Sequence, residues 1–481
     1  MRYESVIGLE IHAQLSTASK IFCGCSTAFA AAPNTHICPV CLGLPGALPV
    51  LNRTAVDEAI RAALALGCTI NESSVFARKN YFYPDLPKGY QISQYELPLA
   101  TGGAVALDDD AATRRVGIVR VHLEEDAGKS IHEGFADSDR RTYVDFNRSG
   151  VPLIEIVTEP DLRSPTEAAK FFTELRATLV WLGVTDGNME EGSLRCDANV
   201  SVRPVGASTL GTKAEVKNLN SFRFLQKALE YEIDRQIDVL NEGGRVVQET
   251  RLFDAAAGHT VPMRSKEEAH DYRYFPDPDL PAVLVAVDRV AAIRAAMPEL
   301  PAARRRRFVE EYALPEYDAA QLTQSRATAD YFERTVRAGA AAKLASNWIM
   351  GELARKMKEL HAEAATPPIE AERLAGLIAL VGQGAISQSI AKEVFEKMIA
   401  SNARAEEIVA RDGLAQIDDE SKIAALVGEV LATNAGAVAQ YRSGKTATFG
   451  FLVGQVMKAA KGKANPARVQ DFLRKAIDDR S

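Results

Sequence analysis

Glu10 and His12 lie two residues apart in the stretch 6–15, where apolar and polar residues alternate strictly. Successive strand residues point to opposite faces, so this pattern predicts a half-buried strand with both side chains on its wet face. A carboxylate and an imidazole on a rigid strand suit a divalent metal ion or proton transfer. The same pattern also fits an ordinary solvated strand face, so the chemistry depends on partners elsewhere in the chain.

Four of the six cysteines form two close pairs with twelve residues between them. The chain begins without the basic and apolar regions of a signal peptide, and in such a chain this spacing predicts a structural, tetrahedral zinc site within residues 22–42. The alternative is four reduced thiols, or a site that loses its metal ion. The predicted zinc ligands are Cys23, Cys25, Cys38 and Cys41.

Glu155 shares a predicted strand face with the apolar residues Leu153 and Val157. A carboxylate in that position must find a cation or a donor, because burying it unpaired would cost several kcal/mol. A second alternating stretch, residues 116–126, places Glu124 and Glu125 on opposite faces at its end. Strand ends slip by one residue easily, so either of these two carboxylates is a candidate metal ligand.

Residues 190–217 add further acids and bases to predicted strands. The candidates in this segment are Glu190 or Glu191, Arg195, Lys213, Glu215 and Lys217. Acidic and basic residues recur on one face of five predicted strands, and this pattern predicts an active site on that face of the sheet. The pattern up to about residue 290 therefore indicates a mostly antiparallel sheet with a few helices, which is an α+β fold.

The composition changes near residues 297–301, beyond which the chain is rich in alanine and predicted to be helical. We expect three domains: a sheet domain over 1–294, a helical domain over 295–410 and a small helical tail over 411–481. Residues 440–481 contain nine Lys or Arg and three Asp or Glu. This excess predicts a phosphate-rich partner, although a solvated helical face fits as well. The basic candidates are Lys458, Lys461, Lys463, Arg468, Arg474 and Lys475.

The whole chain has 481 residues, 25% charged and 47% hydrophobic, with a formal net charge of −7. These values are typical of a soluble globular protein of more than one domain, and no apolar run reaches the length of a membrane span. A cytoplasmic location without a membrane partner is expected. The segment Gly444-Lys445-Thr446 lacks the upstream glycine of a phosphate-binding loop, because Ala439 occupies that position. A bound nucleotide would therefore be held by the acidic sheet through metal ions.

Several long and chemically unusual segments together resemble one family, the GatB subunits of the aspartyl/glutamyl-tRNA amidotransferase. The resemblance runs in order across essentially the whole chain, which is too short to contain the inserted domain of the archaeal relative GatE. The segments that carry it are VIGLEIHAQL, the paired cysteines, NYFYPDLPKGYQISQ, VHLEEDAGK, NRSGVPLIEIVTEPD, MEEGSLRCDANVSVRP, VKNLNSFRF, YRYFPDPDLP and GFLVGQVMKAAKGKANPARVQDFLRKA.

The resemblance implies a tRNA-dependent ligase that works with two partner subunits, the glutaminase GatA and GatC. GatB proteins use ATP to phosphorylate the side-chain carboxylate of glutamate on tRNA(Gln), or aspartate on tRNA(Asn), and ammonia then displaces the phosphate. The resemblance also implies that the N-terminal domain is a cradle-shaped kinase and amidation domain, and that the helical region and the basic tail bind the tRNA.

Phosphoryl transfer needs metal ions that neutralise charge and position phosphates. A subset of the acidic and imidazole groups on the sheet is therefore predicted to bind Mg²⁺: Glu10, His12, Glu125, Glu155, Glu191 and Glu215. Arg195, Lys213 or Lys217 would steady the phosphates. The resemblance places Glu125 at the end of an ammonia path, with Lys79 and Lys88 along it. Both lysines also fit loop salt bridges.

Two rival hypotheses remain at this point. One is a nucleic-acid-binding scaffold whose acidic sheet is only structural, which would explain the basic tail but not Glu155. The other is a ligase that uses free ammonia without a glutaminase. The choice between Glu-tRNA(Gln) and Asp-tRNA(Asn) stays open.

Overall fold

The computed structural model describes residues 2–109, 112–263, 272–416, 419–460 and 463–478. The chain divides into two compact units, Met1–Leu300 and Pro301–Ser481. The first unit is built on a large sheet and the second is helical in its described residues, so the predicted α+β class is confirmed. The finer division into three domains stays a prediction.

The strands of the N-terminal unit vary from two to fourteen residues in length. In chain order they are β1 (Tyr3–Gln14), β2 (Thr69–Ile70), β3 (Ser73–Ser74), β4 (Phe76–Asn80), β5 (Tyr90–Gln94), β6 (Ala100–Thr101), β7 (Ala104–Asp109), β8 (Ala112–Glu125), β9 (Lys129–Ile131), β10 (Tyr143–Asp145), β11 (Pro152–Thr158), β12 (Leu194–Pro204), β13 (Ala214–Lys217), β14 (Thr250–Asp254), β15 (His259–Pro262), β16 (Phe275–Pro276) and β17 (Val283–Leu284). Its helices are α1 (Arg53–Ala65), α2 (Pro165–Trp181), α3 (Phe222–Asn241) and α4 (Val287–Ala295).

The first strand of the chain lies near the centre of the large sheet. The strand order is β15-β14-β13-β12-β1-β11-β8-β5-β4-β16, and β1 pairs antiparallel with both β11 and β12. The loop before β16 also approaches the loop after β4, since the rings of Tyr81 and Tyr272 are 6.2 Å apart. The sheet thus brings together strands from both ends of the unit.

One face of β1 forms the core, as its alternation predicts. Ile7, Leu9 and Ile11 are at most 1% exposed and belong to the main hydrophobic cluster. Helices α2 and α3 pack against each other, and α3 also packs on β12. Phe171 and Phe172 of α2 are fully buried in the same cluster. Burying this face leaves the opposite face of β1 for polar side chains.

The C-terminal unit is helical throughout its described elements and contains a compact apolar cluster in its last four helices. No single helix among the described residues is long and apolar enough to cross a membrane; Glu420–Thr433 and Ala435–Arg442 pass such a test only together, with an 89° bend between them. The elements are α5 (Pro301–Tyr312), α6 (Glu316–Leu322), α7 (Arg326–Arg337), α8 (Ala342–Trp348), a π-helical turn (Ile349–Leu353), α9 (Ala354–Glu359), α10 (Ala371–Gly382), α11 (Gln388–Ala400), α12 (Ala405–Arg411), α13 (Glu420–Thr433), α14 (Ala435–Arg442), α15 (Ala447–Ala459) and α16 (Pro466–Asp478).

Candidate functional site

The register of four neighbouring strands sets a row of polar residues across the sheet. His12 on β1 lies opposite Arg195 on β12 and opposite Glu155 on β11. Glu155 in turn lies opposite His122 on β8. Directly opposite residues in an antiparallel pair project from the same face. The row therefore runs Arg195, His12, Glu155 and His122 on the face that β1 turns away from the core.

Glu124 at the end of β8 completes a cluster with this row. His12 Nε2 lies 3.6 Å from Glu124 Oε1 and 3.3 Å from Glu155 Oε2. His122 Nε2 is 3.7 Å from Glu124 Oε2 and 3.5 Å from Glu155 Oε2. One ligand atom from each of His12, Glu124 and Glu155 lies within 4.8 Å of the other two. Two carboxylates and an imidazole so close together have the spacing of a metal-binding site.

The charges within the cluster support one another. Burial favours the neutral form of Glu155, but His122, His12 and Arg120 outweigh it and hold the pKa of Glu155 well below its ordinary value. Burial likewise acts to raise the pKa of Glu124, but a hydrogen bond from His122 and the charge of His12 lower it overall. Burial alone would lower the pKa of His12, yet Glu155 and Glu124 raise it. Both carboxylates are thus ionised at neutral pH and available to a cation.

A second row of polar groups lies beside the first, toward β13. Glu10 is opposite Asp197 of β12, and Asn199 Nδ2 donates to Glu10 Oε1 at 3.2 Å. Lys217 Nζ lies 2.6 Å from Asp197 Oδ2 and 2.9 Å from Glu215 Oε1. Burial and the charges of Glu155 and Glu215 raise the pKa of Glu10. Glu10 therefore sits in negative surroundings that a bound cation would relieve.

Glu125 lies apart from this cluster, in a separate cavity of about 360 Å³. Its side chain is 2% exposed and pairs with Lys88, and Ile92 N donates to Glu125 Oε1 at 2.9 Å. Cys41 and Gly43 also line this cavity. Because Glu124 and Glu125 are adjacent in a strand, they point to opposite sides. The structure places Glu124, and not Glu125, with His12 and Glu155.

Asp126 follows these two acids and occupies a third environment. Arg195 donates to Asp126 Oδ1 at 3.0 Å, and Gln14 Nε2 donates to Asp126 Oδ2 at 2.8 Å. Arg148 Nε lies 3.6 Å from Asp126 Oδ2. Burial raises the pKa of Asp126, but the charges of Arg195 and Arg148 more than offset it and lower the pKa overall. Asp126 thereby fixes the guanidinium of Arg195 beside the cluster.

Three other predicted site residues lie outside the cluster. Lys79 Nζ is 4.9 Å from the centre of the Tyr272 ring, and Lys213 is exposed at the start of β13. Glu191 is exposed in a turn, where its amide N–H donates to Asn188 Oδ1 at 3.2 Å. Glu190, the alternative to Glu191, is exposed in the same turn.

The four predicted zinc ligands do converge. One sulfur from each of Cys23, Cys25, Cys38 and Cys41 lies within 4.8 Å of the other three, so the donor set fits a single metal ion. A hydrogen bond from Cys23 lowers the pKa of Cys41 to about 4, and the nearby charge of Lys20 adds to the effect. Burial and hydrogen bonding raise the pKa of Cys25 to about 11. None of these four cysteines forms a disulfide bond.

Five of the six predicted tRNA-binding residues lie on α15, on α16 or in the segment between these helices. Lys458, Arg468, Arg474 and Lys475 are exposed, whereas Lys463 Nζ donates to Gly413 O at 2.6 Å. The Arg474 guanidinium lies 5.5 Å from the centre of the Phe449 ring. Lys461 lies outside the described residues.

Sequence reasoning does not single out several residues that surround the cluster. His122 and Arg120 alternate with Glu124 along β8, a pattern visible in the sequence but without an assigned role. The triplet Glu124-Glu125-Asp126 is a further signal, since three consecutive acids at a strand end must face different partners. Asp197 and Asn199 become informative only when the register places them opposite Glu10 and Gly8.

The comparison with known proteins covers both units. Residues 5–291 match the family described as the GatB/GatE catalytic domain, and residues 330–477 match the GatB domain. The GatB subunit of the aspartyl/glutamyl-tRNA(Asn/Gln) amidotransferase of Chlorobium limicola is 56% identical over 478 residues, 99% of this chain and 100% of that protein. The corresponding protein of Geobacter sulfurreducens is 54% identical over 477 residues, with the same coverage. The chain therefore belongs to the family of GatB subunits of the aspartyl/glutamyl-tRNA amidotransferase.

Proposed function

We propose that this chain activates and amidates the side chain of glutamate or aspartate carried by a misacylated tRNA, using ATP and ammonia. The observation that carries the proposal is the convergence of His12, Glu124 and Glu155 on the open face of the sheet. Family membership supplies the reaction class, because the relatives are named as amidotransferases of aspartyl- and glutamyl-tRNA.

The reaction has two steps whose atoms balance. The γ-phosphoryl group of ATP passes to a side-chain carboxylate oxygen, which releases ADP and leaves an acyl phosphate. The nitrogen lone pair of ammonia then attacks the acyl carbon, inorganic phosphate leaves, and a proton is lost to give the amide. Protein groups contribute mainly by positioning and by electrostatic stabilisation of the phosphates.

We infer that His12, Glu124 and Glu155 hold Mg²⁺, with Glu10 and Glu215 available to a second ion. Mg²⁺ retains several water ligands, so three protein donors suffice for one ion. Bound Mg²⁺ would neutralise the triphosphate and align its γ-phosphoryl group. Glu125 is omitted from this set because it lies in the separate cavity with Lys88, and Glu191 because it is exposed in a turn.

Three cations are candidates for the phosphates. Arg195 is the strongest, because Asp126 orients it beside His12 and its Nε atom is buried without a partner in the described residues. A buried unpaired donor is unfavourable unless a ligand accepts from it, so we assign this atom to a phosphate oxygen. Lys217 is held between Asp197 and Glu215, and Lys213 contributes charge from the exposed end of β13.

The cavity that contains Glu125 and Lys88 is our candidate for ammonia entry. Glu125 is almost completely buried and lines the cavity, and Lys88 keeps its carboxylate oriented so that it can accept a hydrogen bond from arriving ammonia. Exclusion of water protects the acyl phosphate from hydrolysis. We assign Lys79, which lies beside Tyr272, to the same route on the basis of the family resemblance.

The remaining assignments concern a structural ion and the partners. A set of four sulfur ligands fills all positions of a tetrahedral site and favours Zn²⁺ bound by Cys23, Cys25, Cys38 and Cys41.

GatA would supply ammonia from glutamine, and GatC would complete the heterotrimer. The exposed basic residues of α15 and α16 would contact the tRNA backbone. We infer a cytoplasmic location for this reaction, because it supplies aminoacyl-tRNA for translation.

The deciding experiment uses the reconstituted three-subunit complex with ATP, glutamine and either Glu-tRNA(Gln) or Asp-tRNA(Asn). Amide should form on at least one of them. His12→Ala should abolish amide formation and leave tRNA binding intact, whereas a purely structural role of the acidic sheet predicts full activity in this variant. Replacing glutamine by an ammonium salt, with GatA omitted, tests whether the chain works with free ammonia.

A further inference from the structure

The cavity beside Glu125 is lined by several segments that are distant in the sequence. Lys88 and Glu125 belong to its lining, and so do Cys41 and Gly43 of the cysteine turn. The Lys88 side chain is 8% exposed and its ammonium group pairs with Glu125. The position of the Lys88 stem therefore sets where this ion pair lies.

Gly43 is in direct contact with that stem. It follows the thiol of Cys41 by two residues, and its N–H donates to Val40 O at 3.0 Å, so it belongs to the turn that carries the cysteines. Its φ is +67°, and an added Cβ would overlap Lys88 Cγ and lie 3.1 Å from Lys88 Cα. Only glycine permits this backbone to lie so close to Lys88.

The turn before Gly43 is anchored at the cysteine cluster. Cys38 N–H donates to Cys41 Sγ at 3.1 Å, and Leu42 N–H donates to Cys38 O at 3.1 Å. Ser149 Oγ donates to Cys41 O at 3.3 Å, which ties the turn to the loop before β11. A metal ion bound by all four sulfurs would fix this turn further.

We propose that the four-cysteine knuckle, residues 38–43 with Cys23 and Cys25, positions Lys88 through the backbone of Gly43. Gly43 is thus a positioning residue: it has no side chain and acts by holding the Lys88 stem against Glu125. The proposal rests on the proposed role of the Glu125–Lys88 pair in ammonia use.

The test compares Gly43→Ala with Gly102→Ala in the full three-subunit complex. Gly102 also has φ +67°, but an added Cβ there would meet nothing within 4 Å, so the two variants share the backbone strain and differ in the clash. Gly43→Ala should lower kcat/KM for ammonium about tenfold or more, because a displacement of about 1 Å is enough for such a loss. KM for ATP should stay within about twofold in both variants. Equal ammonium kinetics in the two variants would overturn the proposal.

Lys88→Met separates this inference from the function it rests on. If Lys88→Met leaves ammonium kinetics unchanged, the role of the ion pair is wrong, and the positioning proposal falls with it. If Lys88→Met impairs ammonium use and Gly43→Ala does not, only the positioning role is wrong.

Metal removal gives an independent measurement that needs no variant to fold. The wild-type complex is treated with a chelator, returned to excess Mg²⁺, and assayed for its metal content and ammonium kinetics. Loss of the cysteine-bound metal should lower kcat/KM for ammonium while KM for ATP is retained. Unchanged ammonium kinetics in the demetallated complex would contradict the proposal.

Discussion

Three consecutive acids at the end of β8 have three different partners. Glu124 lies with His12 and His122, Glu125 pairs with Lys88, and Asp126 accepts from Arg195. Adjacent strand residues face opposite sides, so Glu125 points away from Glu124, whereas Asp126, two residues beyond Glu124, returns to the side that carries Arg195. These three adjacent residues thereby contact the proposed metal site, the proposed ammonia site and the arginine that we propose binds phosphate.

The first residue-scale prediction separates the two glutamates. Glu124→Gln should raise the Mg²⁺ concentration for half-maximal amide formation by about tenfold or more, because it removes one charged ligand. Glu125→Gln, its matched neighbour, should leave the Mg²⁺ requirement unchanged and lower kcat/KM for ammonium. Titrating Mg²⁺ and ammonium separately checks both. The reverse pattern would place the metal ion at Glu125.

The second residue-scale prediction concerns Asp126→Asn. Loss of the Asp126 charge should lower the free energy of unfolding of the N-terminal unit by about 1–3 kcal/mol, a range that allows for the partial exposure of Arg195 and Arg148. The pKa of Asp126 is lowered in the folded state, so its stabilisation is complete above the unfolded value of about 3.9 and is lost as the pH falls through the folded value. The stability difference between wild type and variant should be constant from about pH 5 to 7 and shrink below about pH 4.

Denaturant unfolding of both proteins across this pH range provides the measurement. A difference that grows on acidification would show that Asp126 is not ionised in the folded chain. In the complex, the same variant should raise KM for ATP, since Arg195 loses the carboxylate that orients it.

At the scale of elements, β1 determines the site because it is flanked by β11 and β12. One alternating strand supplies core residues on one face and His12 and Glu10 on the other, and its two neighbours bring Glu155 and Arg195 to His12. The helices hold this sheet from the apolar side. Helix α2 begins at Pro165, where Ser164 Oγ accepts from Glu167 N at 3.1 Å.

Ser164→Ala tests the contribution of this helix start. Loss of an N-cap hydrogen bond should destabilise the N-terminal unit by about 1 kcal/mol. Thr166→Ala is the matched control, because Thr166 is exposed in the same turn and alanine is the better helix former. Comparing the thermal midpoints of the two variants decides the question; a Ser164→Ala midpoint equal to that of the control would refute the capping role.

At the scale of the molecule, the two units divide the proposed work. The N-terminal unit contains the acidic cluster, the cavity and the cysteines, whereas the C-terminal unit carries the exposed basic residues of α15 and α16. Contacts to phosphates depend on charge more than on sequence, so the tail would bind different tRNAs alike. In our proposal, discrimination and chemistry belong to the N-terminal unit.

The prediction at this scale is a double variant, Lys458→Gln with Lys475→Gln. It should weaken tRNA binding and reduce the slope of log affinity against log salt by about two, if each lysine contacts one phosphate. Arg223→Gln with Lys227→Gln removes the same charge from α3 and should leave the slope unchanged. Filter binding at several salt concentrations gives both slopes. An equal effect of the two pairs would argue against a tail-specific contact.

Much of this organisation could be predicted from the residues. Alternation assigned β1 and its faces correctly, and the need of Glu155 for a cation or a donor is met by Arg120 and by the imidazoles of His12 and His122. The cysteine spacing predicted a cluster that forms. The exposed positions of Glu191 and Lys213 were not predictable, because a turn and a strand end have no periodic pattern to fix their direction.

The sequence by itself determined the α+β class, the polar face of β1 and the family, because alternation is local and family motifs are contiguous. Only the tertiary structure decided that Glu124 joins His12 and Glu155 while Glu125 turns to Lys88. The physical reason is that register and strand order depend on pairings between residues more than a hundred positions apart, as for His12 with Glu155. The contact of Gly43 with Lys88 is of the same kind, since it arises where two distant segments pack together.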